Sequence, residues 1–164
     1  MRPKPITPKP GQESVWNYPR PPALEKVSKS IEIIFNGASI VRTNGAYRVL
    51  ETSHPPVYYL PPADIRMEFL KPASQHTHCE WKGTGSYYHL EVDGKIAHNA
   101  AWFYHTPHPR FAAIKDFSAF YANQMDRCLV DGEEVIPQPG EFYGGWITPE
   151  IVGPFKGIPG SWGW

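Results

Sequence analysis

Proline limits what this chain can become. Of 164 residues, 19 are proline and 14 are glycine. Proline has no backbone N–H and clashes with the preceding helical turn, and glycine costs more backbone entropy than any other residue to order in a regular element. Scattered at this density, the two rule out long helices and favour short strands joined by ordered turns.

The stretches between prolines read accordingly. Ile31-Glu32-Ile33-Ile34-Phe35 is β-branched and stops at Asn36-Gly37, a pair that tolerates positive φ at both centres of a hairpin turn. Residues 38–42 form the return strand, and Asn44-Gly45 is a second turn. Residues 47–52 fit either a helix or a strand. Val57-Tyr58-Tyr59-Leu60 lies between Pro55-Pro56 and Pro61-Pro62, which predicts a strand at a sheet edge or one cut short at both ends, because proline cannot donate to a ladder. Residues 62–64 read as one turn. Residues 66–70 read as a strand with Met67 and Phe69 inward. Strands are expected over 76–83 and 86–92, with Asp93-Gly94 turning the chain into 95–97, and over 100–105. Residues 111–115 suit a helical turn, and 117–121 a strand or its continuation. Asp131-Gly132 joins 128–130 to 133–136 as a hairpin.

This rhythm predicts a mainly β protein, with two antiparallel sheets in a sandwich, barrel or bent arrangement and short helical turns. There is no βαβ alternation, P-loop, dinucleotide fingerprint or fixed-period repeat, so no cofactor is expected.

The organisation expected has three parts. Residues 1–22 are a proline-rich tail, loose to Gly11, followed by a strap in which Val15, Trp16 and Tyr18 give the segment something to bury. Residues 23–136 are the domain. Residues 137–164 are too apolar for a free tail and too broken for a helix, and read as an ordered wrap.

Formal net charge is zero, which gives no electrostatic footprint for nucleic acid or an anionic membrane. No apolar run spans a bilayer. Residues 1–10 lack the apolar core of a leader, so a reducing, cytoplasmic setting is expected, with Cys79 and Cys128 as free thiols. Nothing in the sequence points to an oligomer.

Residues 76–104 concentrate aromatic, ionisable and sulfur-bearing side chains. Cys79-Glu80-Trp81-Lys82-Gly83 alternates as a strand would, placing Glu80 and Lys82 on one face and Cys79 and Trp81 on the other. Glu80 and Lys82 read either as an acid and an anchor in a cleft or as a solvated ion pair. Glu51, flanked by Arg48, carries the same ambiguity. Tyr58, Tyr59, Tyr87, Tyr88, Trp102 and Tyr104 exceed what a small core needs, and their polar ends suit cleft walls. In Tyr58-Tyr59 and Tyr87-Tyr88 one ring falls on each sheet face.

His76 and His78 share a strand face and Cys79 opposes them, so these three make no metal site without ligands from elsewhere, such as His89 or His98. Cys79 beside Glu80 is not in the electropositive setting a nucleophile needs and reads as a small buried hydrophobe. No metal is expected.

Several stretches resemble the domain of unknown function 427 family. They include Glu13-Ser14-Val15-Trp16-Asn17-Tyr18-Pro19-Arg20-Pro21-Pro22, Arg48-Val49-Leu50-Glu51-Thr52 and Val57-Tyr58-Tyr59-Leu60-Pro61. Cys79-Glu80-Trp81-Lys82-Gly83 with Ser86-Tyr87-Tyr88, Ala101-Trp102-Phe103-Tyr104, Val130-Asp131-Gly132-Glu133 and Phe142-Tyr143-Gly144-Gly145-Trp146-Ile147-Thr148 complete the set. The match covers nearly all the chain beyond its first ten residues and looks like the long form, with strap and wrap. It implies a β-tent-like fold: two antiparallel sheets at an angle with a cleft between them. The structural zinc of that group's paired Cys-x-x-Cys motifs is not carried over, since this chain has no such pair. The nucleotidyltransferase label sometimes given to the family finds no Asp-x-Asp or Glu-x-Glu set after a Gly-Ser. The resemblance supplies no catalytic residue.

Three functions are compatible with these readings. The first is a domain binding a small molecule in an aromatic cleft anchored by Glu51, Glu80 and Lys82. The second is an enzyme that moves protons through Glu80 or Lys82. The third is an interaction module using strap and wrap.

Overall fold

The structure, a computed structural model, describes residues 2–140 and 142–164. Its strands, in chain order, are β1 (Glu13–Ser14), β2 (Ala23–Lys26), β3 (Ile31–Phe35), β4 (Ala38–Thr43), β5 (Tyr47–Leu50), β6 (Val57–Tyr59), β7 (Leu70–Cys79) and β8 (Gly83–Val92). They continue with β9 (Lys95–Phe103), β10 (Ser118–Phe120), β11 (Arg127–Val130), β12 (Glu133–Glu134), β13 (Ile136–Pro137), β14 (Trp146–Ile147) and β15 (Ile151–Val152). Helical structure is confined to short 3-10 turns.

The fold is mainly β and built from several antiparallel sheets. Two sheets have four strands, in the orders β10-β9-β8-β7 and β12-β11-β3-β4, and a third runs β2-β5-β6. β13 and β14 pair alone, and β1 pairs in parallel with β15. Three hairpin turns fall where the sequence puts them. Asn36-Gly37, Asp93-Gly94 and Asp131-Gly132 each hold both residues at positive φ. β6 is three residues long and lies at the edge of its sheet, in keeping with its flanking prolines. Residues 47–50, open between helix and strand in the sequence, are the central strand of their sheet.

Two local expectations are corrected. Residues 66–70 do not form a strand: Met67–Phe69 is a 3-10 turn, closed by the Leu70 N–H donating to Met67 O. Alternating polarity over five residues also fits one such turn, because the i, i+2 spacing does not separate the two when no neighbour strand is present. Likewise β7 ends at Cys79, and residues 80–82 are the hairpin turn into β8.

The largest core cluster fills the space over the β3-β4 sheet, with Ile31, Ile33, Phe35, Ile40, Leu60, Leu90, Phe120 and Trp146 sealed from solvent. A second cluster joins Val49 and Tyr59 of the three-stranded sheet to Tyr87, Trp102 and Ala119 of the β7–β10 sheet. The Leu60–Ser118 bridge ties the two sheets at that point. Strap and wrap hold each other in a third cluster, where Val15, Trp16 and Tyr18 pack with Leu50, Ile151, Phe155 and Trp164. Trp16 Nε1–H donates to Pro154 O at 2.9 Å. The wrap buries fewer rings than its composition suggests: Trp146 is sealed, whereas Phe142 and Trp162 are exposed. Residues 2–11 are mostly exposed.

Candidate functional site

The period-2 geometry of strands sorts the aromatic residues. On the β7–β10 sheet Tyr87 lies opposite Trp102, and Trp102 opposite Ala119, so these side chains share one face. Thr77 and Cys79 of β7 join them, and Tyr104 follows Trp102 two residues on. On the facing sheet Val49 pairs with Val57 and Tyr47 with Tyr59, and Glu51 continues the same alternation just past β5. Gly85 leaves room for Tyr104, since a Cβ there would stand 3.2 Å from Thr77 Oγ1 and 3.5 Å from the Tyr104 ring.

Between these faces lies a cavity of about 320 Å³. Glu51, Tyr59, Glu80, Lys82, Tyr87, Trp102 and Tyr104, anticipated from the sequence, all line it. Tyr58 and Tyr88 do not, because each occupies the reverse face of its strand. Tyr58 stacks on Trp146 at 5.1 Å between ring centroids, and Tyr88 stacks on Phe103 at 4.6 Å. Glu80 reaches the rim from the hairpin turn and is exposed, and Lys82 is half-buried. Cys79 and Trp81 pack toward the aromatic cluster yet also line the cavity, so they do not stand on a face opposed to Glu80 and Lys82. The turn breaks the strand alternation that would have separated them.

The rings form a neutral, linked wall. Trp102 Nε1–H donates to Tyr59 Oη at 3.3 Å, and Tyr121 Oη–H donates to Phe142 O at 3.0 Å. Burial pushes the phenols of Tyr59, Tyr104 and Tyr121 well above the usual tyrosine range, so none ionises near neutrality.

The remaining wall comes from residues that sequence reasoning passed over: His54, between β5 and β6, and Gln138, Tyr143, Gly144 and Lys156 of the wrap. Gly144 lies flat on the indole of Trp102, where an added Cβ would come within 2.2 Å. Gln138 is buried and bonded on every side. Its Oε1 accepts from Gly145 N at 3.0 Å, and its Nε2 donates to Lys156 O at 2.8 Å. These backbone partners, one a donor and one an acceptor, fix which end of the amide is which. Nε2 therefore also donates to His54 Nδ1, at 3.1 Å, and His54 is the tautomer that carries its proton on Nε2.

Desolvation and the nearby charges of Lys156, Arg20 and Lys82 hold the His54 pKa down to about 3. The imidazole is thus a neutral donor. Its Nε2 stands 3.7 Å from Glu51 Oε2, beyond hydrogen-bonding distance. Glu51 is in turn met by Arg20 at 3.4 Å. The edge of the His54 ring is held by Tyr143 at 4.9 Å. The only hint of His54 in the sequence is a histidine just before a proline pair, which is too common to single out. Gln138 has no sequence signal at all.

Cys79 and Cys128 are free thiols in different clusters, and burial pushes the Cys128 thiol up. His76 bonds Ser86 Oγ at 3.2 Å, and His89 and His98 meet edge to face, with ring centroids 5.0 Å apart. Among the described residues, no group of three or more His, Cys, Asp or Glu side chains is placed to hold a metal ion. Among them, too, no helix is long and apolar enough to cross a membrane.

A mainly β domain, with an aromatic cleft where two of its sheets meet, is the class that fold and site define. Residues 23–131 match the family described as a domain of unknown function, DUF427, and the chain belongs to that family. The matched span carries Glu51, His54, Lys82 and the rings, while Gln138, Tyr143 and Lys156 lie outside it. No curated protein matches the chain.

Proposed function

We propose that this chain is a small-molecule binding domain and that the cavity between the β2-β5-β6 and β7–β10 sheets is its ligand site. One observation carries this reading: His54, half-buried in the cavity wall, keeps an Nε2–H with no acceptor in hydrogen-bonding distance among the described residues. A donor turned into a cavity without a protein acceptor suits a ligand acceptor. The cavity volume lies at the small end of the range for ligand pockets, and aromatic walls with a few convergent polar groups are the usual composition of such sites.

The acid–base reading has a specific observation in its favour, the approach of Glu51 to His54. It is the weaker of the two. A histidine with a pKa near about 3 is a poor proton acceptor at neutral pH, and catalytic pairs work best when matched to the working pH. Among the described residues Lys82 and Glu80 share no hydrogen-bond or ion-pair partner. The absence of a clustered carboxylate set among the described residues gives no support to metal-assisted nucleotidyl transfer. Two thiols left free in separate clusters support a reducing setting such as the cytoplasm, and the zero net charge supports a small-molecule partner over nucleic acid.

A fragment screen read by the indole N–H resonances of the full chain tests the proposal. Binders should move Trp102, and its Phe substitution should identify the signal. A chemically broad screen in which hits shift only surface residues such as Trp162 would sink it.

A further inference from the structure

The cleft reading leaves the ligand's chemistry open, and the charges around the cavity narrow it. Lys82 has no carboxylate within ion-pair distance among the described residues; its Nζ lies over the Tyr104 ring, 5.9 Å from the centroid. The other charges at the cavity are already engaged or sit at its rim. Arg20 meets Glu51 and also donates to Thr52 O at 2.9 Å. Lys156 Nζ donates to Trp164 O at 3.4 Å. Glu80 stands exposed at the mouth. Lys82 and His54 thus present to the cavity a cation without an ion-pair partner and a neutral N–H donor without an acceptor among the described residues.

A carboxylate accepts hydrogen bonds and donates none, so it complements the Lys82 ammonium and the His54 imidazole N–H. Two polar atoms of the wall are already paired within the protein: Gln138 Oε1 accepts from Gly145 N, and the Tyr59 hydroxyl oxygen accepts from Trp102. The walls are flat rings, with Trp102 tilted against Tyr121 at 4.6 Å, and the volume suits a ligand of about one ring system.

We infer that the cavity takes a small aromatic carboxylate, its ring against Tyr87, Trp102 and Tyr104 and its carboxylate shared between Lys82 Nζ and His54 Nε2–H. This rests on the cleft being the ligand site. Gln138 is a positioning residue in this scheme: by holding Nδ1 as the acceptor it keeps the imidazole proton aimed into the cavity.

The test titrates the full chain with benzoate, with its neutral isostere benzamide, and with acetate, following heat and the Trp102 indole resonance. Benzoate should bind saturably and benzamide about tenfold more weakly, as expected for loss of a charge-assisted contact. Acetate, lacking the ring, should leave Trp102 unmoved. Lys82→Met, at a half-buried turn position, should weaken benzoate about tenfold and leave benzamide unchanged. Benzamide binding as tightly as benzoate, or benzoate indifferent to Lys82→Met, overturns the carboxylate assignment while leaving the cleft a ligand site. If neither ring compound moves Trp102 up to its solubility limit, both readings fall.

Discussion

Gln138 Nε2 lies 3.1 Å from His54 Nδ1, although 84 positions of sequence separate the two residues. The bond crosses from the wrap to the loop between β5 and β6, and it does two things at once. It closes one wall of the cavity, and it dictates which nitrogen of the imidazole carries the proton.

The first consequence is a dependence of stability on pH. In the unfolded chain His54 titrates near 6.5, and in the folded chain near about 3. Between these values the unfolded state binds more protons, so folding stability falls as pH falls below 6.5 and is unaffected by this group above it. The slope approaches ~1.4 kcal/mol per pH unit, and going from pH 6.5 to about pH 5 should remove about 2 kcal/mol. Urea unfolding of the full chain should show this loss. His54→Gln, which cannot titrate, should lack it. Equal pH slopes for both proteins would mean that His54 is protonated in the folded state.

Removing the other partner should cost more than one bond. Gln138→Leu keeps the volume but strands Gly145 N–H, Lys156 O and His54 Nδ1, all of which the amide now satisfies. The expected loss is about 3 kcal/mol, since a buried group left unpaired costs ~1–3 kcal/mol. Chemical denaturation measures it. Because the Nε2–H tautomer is no longer enforced, the nitrogen-15 shifts of His54 should also move toward a mixture of tautomers, a change that loss of packing alone would not produce.

How much of this was legible in the sequence depended on distance along the chain. Asn36-Gly37 and Asp131-Gly132 announced their hairpins because both residues of each turn must adopt positive φ, a local demand met by local chemistry. The rings were legible as a group suited to a cleft, but strand alternation sends one member of Tyr58-Tyr59 and of Tyr87-Tyr88 to the reverse face without saying which. The face became known only once β5 and β6 had met the β7–β10 sheet. Glu80 was misplaced for a related reason: Cys79-Glu80-Trp81-Lys82 alternates like a strand, but the Gly83 φ of 111° and the Cys79–Gly83 pairing make it a turn. His54, Gln138 and Lys156 meet through loops, where no periodicity exists to read.

The glycines of the wrap make a separate claim. A Cβ at Gly144 would come within 2.2 Å of the Trp102 ring. Gly144→Ala should therefore lift the segment off the indole or tilt the indole into the cavity. Trp102 fluorescence and its indole resonance should shift. Gly163→Ala, where nothing lies within 4 Å of the added methyl, is the control and should leave both unchanged.

Deleting the two ends should have opposite consequences. Residues 2–11 touch the rest of the chain through little more than the Ile6 N–H to Gly153 O bond, the Gln12-linked turn and Arg2 over the Trp16 ring. Exposed contacts of this kind contribute little, so removing residues 2–11 should change stability by about 1 kcal/mol or less. Removing residues 138–164 takes away Trp146, which is 1% exposed and packed on Tyr58, and with it the Trp146 Nε1–H bond to Phe120 O at 3.1 Å. It also takes Ile151 and Phe155 from the strap cluster, and Gln138 from His54. Burying a large ring contributes about 1.5–3 kcal/mol, so the loss should amount to several kcal/mol, a large part of a domain's stability margin. Thermal melting of both truncations against the full chain separates the two ends. A chain ending at Pro137 that melts with the parent would show that the wrap only rests on the domain, and the wall built from Gln138, Tyr143 and Lys156 would then be dispensable to the fold.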